Sequence, residues 1–382
     1  MTLRPYGLVL DGRLEPGLEV ELDGSKIVQV RPHTGPPEPF VLSPGFVNAH
    51  SHLEYRGLQG AIREREFWPW IRAITELKKL QTPEEVMRDA NLAVEENAAA
   101  GVALIWEHSD RPVSGRAMAA AGLAGRIFQE TITFFAKEAP DEKLREVERR
   151  AAENAECFEG PVSPSPHAVY TVDSRTLRSF GSDPSPISIH LAESPAESEW
   201  TRRGKGPIAD FYREQGVPFE PSGESVVRTA AEFGLLRPGS QAVHVCDADE
   251  DDVECLARSG VSVAHCPRSN LALGCPDAPV RELLDAGVRV GLGMDSPASS
   301  GPIDMFAEMR AALSAGKRRE KPLSAEEVWR LATDRGASSL GVDGWRIEAG
   351  RETPLIRIEI PAARSVEDMI LRCDPSHVAP IR

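Results

Sequence analysis

The sequence predicts a closed barrel of eight strand–helix units, (β/α)8, with a small β-sandwich built from the two chain ends. Three observations carry this. From about residue 46 to 344, short apolar strands alternate with helical stretches, which argues a parallel sheet wrapped by helices. Residues 1–45 and 345–382 read instead as short strands broken by turns. Histidines and acids recur at the carboxyl ends of the predicted barrel strands, where a βα barrel gathers its active site. An open doubly wound sheet is the alternative, but no Gly-x-Gly-x-x-Gly follows any strand.

In order, strands at 7–10, 18–22 and 26–30 are parted by Asp11-Gly12 and Asp23-Gly24, dipeptides that favour tight hairpins. The proline-rich stretch 31–39 reads as a linker into the first barrel strand, which stops at His50 and His52. Helices are predicted at 67–80, where apolar residues recur at helical spacing, and from Thr82-Pro83-Glu84-Glu85 to Ala100, ended by Gly101. Strands follow at 102–106, 126–135, 165–172, 187–190, 241–245, 261–265 and 288–293. Helices fall at 115–121, 141–155, 223–233, 249–257, 280–286, 305–315 and 326–340. Two last strands are expected at 355–360 and 369–373, close to the N-terminal strands in space.

Composition narrows the class. The chain of 382 residues carries 44 basic and 59 acidic residues, a net charge of −15, so nucleic acid and anionic membrane are excluded as partners. Six cysteines without a C-x-x-C pair fit buried thiols in a reducing compartment. With no secretory leader and no apolar run of membrane-spanning length, the expected location is the cytoplasm.

The chemistry starts from His50 and His52. Two imidazoles at i and i+2 on a strand share a face and offer two neutral nitrogens side by side, which suits a divalent transition metal. Such a pair alone is weak evidence. Other predicted strand ends add His190 with Glu193, His244, His265 and Asp295. Singly, each has a plainer reading as a structural histidine, a surface acid or a helix cap. Together, at the end of one barrel, they supply a coordination set.

The stretches PGFVNAHSHLE, SPHAVYTV, HLAES, HCPRSNLALG and LGMDSPAS resemble those of the amidohydrolase superfamily, in its branch of cytosine, guanine and adenosine-type deaminases and chlorohydrolases. The resemblance spans about residues 1–360, in order. It implies that His50, His52, His190 and Asp295 hold one metal ion, Zn2+ or alternatively Fe2+. It further implies that His244 and Asp295 work on a metal-activated water, and that Glu193 shuttles a proton to the ring and the leaving group. Two-metal members place a carboxylated lysine or a glutamate at strand four. The matching stretch, 161–172, has neither, so one metal is expected.

For substrate, the resemblance points to a small heterocycle. His167, in Ser-Pro-His-Ala, and Asn270, above strand seven, are candidate contacts, although Val169 stands where many relatives have proline. Glu54, directly after the histidine pair, and Trp70, in Phe67-Trp-Pro-Trp-Ile71, are similar to features of aminofutalosine deaminases. The expected activity is therefore deamination of a purine-type ring, with 6-amino-6-deoxyfutalosine of menaquinone biosynthesis as first substrate. Guanine, S-adenosylhomocysteine, methylthioadenosine or a chlorotriazine are alternative substrates, and a catalytically idle metal-binding barrel is the non-enzymatic one. Homo-oligomers are expected only by analogy.

Overall fold

The computed structural model describes residues 1–134, 140–360 and 362–381. Its barrel strands are β1 Phe46–Ser51, β2 Val102–Ser109, β3 Ala124–Thr131, β4 Val162–Pro166, β5 Ser188–Leu191, β6 Gln241–His244, β7 Ser262–His265 and β8 Val290–Leu292. Strands β1 to β4 ladder in sequence order, and so do β5 to β8, all in parallel.

Two seams join these halves into the barrel, through bridges that pair Ser51 with Asp295 and Ala168 with His190. At the β4–β5 seam Pro164 and Pro166 have no N–H to give. The Ser165 hydroxyl substitutes, donating to the Ser188 carbonyl at 2.6 Å and accepting the Ser188 N–H at 2.9 Å. At the other seam the Asp295 N–H donates to the His50 carbonyl at 2.9 Å, and Asn48 Oδ1 accepts the Met294 N–H at 2.8 Å. Residues expected to carry the chemistry thus also hold the barrel shut.

Val47 and Ala49 of β1 pack with Leu104, Phe128, Val243 and Ala264 into one buried cluster spanning both halves. Burying side chains of this size contributes roughly 1.5–3 kcal/mol each for the larger ones. The β1–β2 register slips between Asn48 and Ser51, just before the histidine pair reaches the barrel end. Close approach at that point needs Gly293, where a Cβ would stand 2.8 Å from His50 Cβ and 2.9 Å from Cys266 Sγ.

The chain ends meet, because Leu355–Ile358 pairs antiparallel with Glu38–Pro44. That five-stranded sheet and a three-stranded one, Thr2–Leu3, Leu18–Asp23 and Lys26–Pro32, share a core of Leu8, Val20, Ile27, Phe40, Leu42 and Leu355. The expected linker at 31–39 is shorter than predicted: residues 33–37 lie between strands, and its two ends belong to them. A strand at Arg13–Pro16 was not anticipated.

Several expected elements differ. The strand at 369–373 is a helix, Val366–Arg372, capped by Ser365, which accepts the Asp368 N–H. Val366, Met369 and Ile370 bury one helical face, and so short an apolar window suits either structure until the cap is weighed. The single helix at 326–340 is two, Ala325–Leu331 and Asp334–Ser339, parted at Thr333 with φ −133° and ψ −106°. The fourth strand ends at Pro166, and Val169–Thr171 forms a 3-10 turn. Strand β3 ends at Thr131, and Phe135 of the expected 126–135 strand lies outside the described residues. Helices Pro195–Arg203 and Gly206–Glu214 were missed; the Ser194–Glu197 capping box marked the first. Among the described residues, no helix is long and apolar enough to cross a membrane.

Candidate active site

At the carboxyl ends of the strands, His50, His52, His190 and Asp295 converge. His52 Nε2 lies 3.2 Å from His190 Nε2, and Asp295 Oδ1 lies 3.6 Å from His50 Nε2 and 3.7 Å from His52 Nε2. Neither ring nitrogen of His50 has a hydrogen-bond partner, although the residue is fully buried. Buried polar atoms left unpaired are costly, and lone pairs turned toward one another do not satisfy each other. A cation between them does.

The surroundings fix which atoms point inward. His52 Nδ1 lies 3.0 Å from the His108 carbonyl and His190 Nδ1 lies 3.0 Å from the His167 carbonyl. A carbonyl only accepts, so each Nδ1 carries the proton and each Nε2 presents its lone pair. Burial first, and neighbouring histidines second, hold His50 and His52 well below the ordinary imidazole pKa; burial with the charge of His244 brings His190 down to about 4. The Asp295 Oδ2 atom accepts from Ser269 Oγ at 2.5 Å and Ser299 Oγ at 3.2 Å, leaving Oδ1 toward the histidines. Burial raises the Asp295 pKa, but His244, His52 and Ser269 outweigh it and keep the carboxylate ionised. Neutral nitrogens with one carboxylate oxygen are donors that fit a divalent transition metal such as zinc.

Beside this pole stand a carboxyl and a further imidazole. Glu193 Oε2 lies 3.6 Å from His244 Nε2, and His244 Nδ1 lies 2.8 Å from Asn270 Oδ1. Burial, then the charges of Asp295 and Glu197, push the Glu193 carboxyl well above its ordinary pKa. Glu197 fixes the Glu193 turn by accepting the N–H groups of Ala192, Glu193 and Ser194 at 3.2, 2.7 and 3.1 Å. Ala192, His244, Val245 and Asp295 all have positive φ, of 51°, 74°, 53° and 51°. Non-glycine residues rarely adopt this conformation, and here it clusters at three strand ends. At His244 it breaks the alternation that would send the ring outward with Ala242.

Residues 41–370 match the amidohydrolase family. The chain belongs to that family. As an amidohydrolase it is 32% identical over 332 residues to the 5-methylthioadenosine/S-adenosylhomocysteine deaminase of Natronomonas pharaonis, covering 84% of this chain and 73% of that one. The corresponding Pelotomaculum thermopropionicum deaminase is 30% identical over 392 residues, covering 93% and 82%. Among solved structures, a zinc-bound adenosine deaminase from Xanthomonas campestris superposes with a TM-score of 0.83 at 23% identity, covering 99% of this chain and 90% of that one. Helicobacter pylori aminofutalosine deaminase, in complex with methylthio-coformycin, gives 0.81 at 19% identity, covering 100% and 97%. These two likenesses show the barrel fold. The amidohydrolase is a hydrolase acting on carbon–nitrogen bonds, of the deaminase kind.

The amidohydrolase cavity is lined by His52, His190, Glu193, His244 and Asp295, together with His167 and Trp70 from the sequence candidates. His167 stacks near His190, with ring centroids 4.6 Å apart. Glu54 and Asn270, expected to touch substrate, do not line it. Glu54 is buried and accepts the Asp110 and Arg111 N–H groups at 2.6 and 3.1 Å, and Asn270 holds His244 from behind. His265 lies among the residues under helices Val280–Asp285 and Met305–Arg318, away from the other strand-end histidines.

Sequence reasoning also missed residues. His108, at the end of β2, has its ring centroid 4.2 Å from that of His50, and Glu130, at the end of β3, lines the cavity. Glu107 accepts the Leu53 N–H at 3.0 Å and the Ser114 hydroxyl at 2.9 Å, fixing the turn after the histidine pair. The signal was available: ending the second and third strands three or four residues apart from the predicted bounds would have put all three at strand ends.

Proposed function

We propose that this amidohydrolase removes the 6-amino group of an adenine nucleoside, with 5′-methylthioadenosine and S-adenosylhomocysteine as the first substrates. The observation that carries the reading is the buried Glu193 carboxyl, 3.6 Å from His244 and beside the His50–His52–His190–Asp295 pole. The similarity to methylthioadenosine/S-adenosylhomocysteine deaminases supports the substrate class.

A single divalent metal ion held by His50, His52, His190 and Asp295 would supply Lewis acidity that lowers the pKa of a water at the site. Asp295, ionised, accepts a proton from the attacking water. Glu193 gives its proton to the ring nitrogen next to the amine-bearing carbon, whose carbon–oxygen bond forms as the ring takes up charge. His244, its Nδ1–H held by Asn270 Oδ1, accepts a hydrogen bond from the added hydroxyl at Nε2. The proton held by Asp295 passes to the amine, the hydroxyl proton restores Glu193 as the ring carbonyl forms, the carbon–nitrogen bond breaks, and ammonia leaves. Trp70, Trp68 and Tyr170 give the cavity aromatic walls suited to a purine.

6-Amino-6-deoxyfutalosine offers the same ring, and Trp70 faces the cavity as that reading requires. Glu54, its other support, is committed to the Asp110–Arg111 backbone. The test is ammonia release by purified, zinc-loaded protein from 5′-methylthioadenosine, S-adenosylhomocysteine, adenosine, 6-amino-6-deoxyfutalosine and guanine, with chloride release measured from a chlorotriazine. Turnover of the adenine nucleosides is expected. Turnover of guanine or the triazine alone would overturn the reading.

A further inference from the structure

The amidohydrolase cavity has a second polar group, reached from the histidine pole across one aromatic ring. Tyr55 stacks on His52 with centroids 5.2 Å apart, and Lys78 Nζ lies 4.9 Å from the Tyr55 centroid. Lys78 is the one cation among the described cavity-lining residues. It donates to Asp110 Oδ2 at 2.7 Å, and an ammonium has three donors, so two remain. Glu130 also lines the cavity; it is 4% exposed, and its Oε1 has no hydrogen-bond partner. It approaches His190 at 3.8 Å on the Nδ1 edge, the edge turned away from His52.

Glu54 belongs to the same arrangement. By holding the Asp110 and Arg111 N–H groups it fixes the loop after β2, from which Asp110 meets Lys78. The group therefore has spare donors on Lys78 and an unpaired buried oxygen on Glu130. Three carboxyls, of Glu54, Asp110 and Glu130, surround one ammonium, so an anionic substituent would gain little there. A neutral ligand that both donates and accepts satisfies both sides, and a pair of vicinal hydroxyls does so. A buried polar group left unpaired when such a ligand lacks its hydroxyl makes strong discrimination available.

We propose that Lys78 and Glu130 bind the ribose hydroxyls of the substrate and set a preference for ribonucleosides; the proposal rests on the adenine-nucleoside reading above. Lys78→Met and Glu130→Leu test it, with kcat/KM measured on adenosine, 2′-deoxyadenosine and 3′-deoxyadenosine, alongside zinc content and circular dichroism. Wild-type protein should prefer adenosine over each deoxynucleoside by at least about tenfold. Each variant should bring that ratio close to one, mainly through KM for adenosine, with zinc content unchanged. Should Glu130→Leu fail to fold, Lys78→Met alone decides. An unchanged ribose preference in a folded variant overturns the proposal and leaves the deaminase reading standing. Loss of zinc in folded Glu130→Leu also overturns it, by making Glu130 a metal ligand. If wild-type protein turns over no nucleoside, the underlying reading fails and takes the proposal with it.

Discussion

His52 Nε2 and His190 Nε2 face each other at 3.2 Å while a backbone carbonyl engages the other nitrogen of each ring. Two lone pairs so placed repel unless a cation lies between them, so the fold itself is organised for a metal.

Removing that cation should therefore cost stability as well as activity. A ligand that binds only the folded state stabilises it by about 2.7 kcal/mol at a hundredfold excess over its Kd. Dialysis against a chelator should lower Tm, measured by calorimetry, and stoichiometric zinc should restore it. An identical Tm for the stripped and loaded protein would contradict this account of His50, His52, His190 and Asp295.

Glu193→Gln keeps the shape of the side chain and removes the transferable proton. Turnover should fall by about 10²–10⁴-fold, the usual contribution of a positioned acid–base group. Zinc content should stay at the wild-type level, because Glu193 is outside the coordinating set. Activity retained within a few-fold would remove Glu193 from the proton path.

Glu197 acts through the backbone. It accepts three N–H groups around Glu193, and burial pushes its pKa up to about 8 despite them. Glu197→Ala should destabilise the protein by about 1–3 kcal/mol for the unsatisfied donors, as read by urea denaturation. It should also lower kcat more than it raises KM, since the acid is misplaced while the pocket walls persist. A change in KM alone would assign Glu197 to binding.

In the small β domain, Glu19 accepts the Thr34 N–H at 3.0 Å and the Arg31 guanidinium at 2.8 Å, and these hold its pKa down at about 2. A carboxyl with a folded pKa below its unfolded value of 4.5 binds more protons when unfolded. Its stabilisation is complete above pH 4.5 and disappears as pH falls toward 2. Denaturation curves of wild type and Glu19→Gln should differ at neutral pH and draw together in that acid window. A difference that grows on acidification would reverse the sign.

Much of this was legible before any coordinates. Strand–helix alternation and the histidines at strand ends follow directly from side-chain periodicity, and so His50, His52, His190, Glu193, His244 and Asp295 could be brought to one place. What escaped has physical causes. His265 has the same strand-end position as His244 but lacks the positive φ that His244 has. Glu54 follows the metal pair in sequence, yet its carboxylate serves backbone N–H groups of the loop after β2, a long-range partnership no local pattern encodes. His108 lies just past the expected end of its strand, and Glu130 lies inside a strand expected to run on to 135, so neither stood at an expected strand end. Met369 and Ile370 show the same ambiguity, resolved only by the Ser365 cap.

The most direct test of the central claim is the fate of 5′-methylthioadenosine with wild-type protein carrying one equivalent of zinc. The account predicts one ammonia released per nucleoside consumed, with the adenine ring converted to hypoxanthine and the glycosidic bond intact. Zinc-loaded, folded protein that leaves this and every other adenine nucleoside unchanged would contradict it.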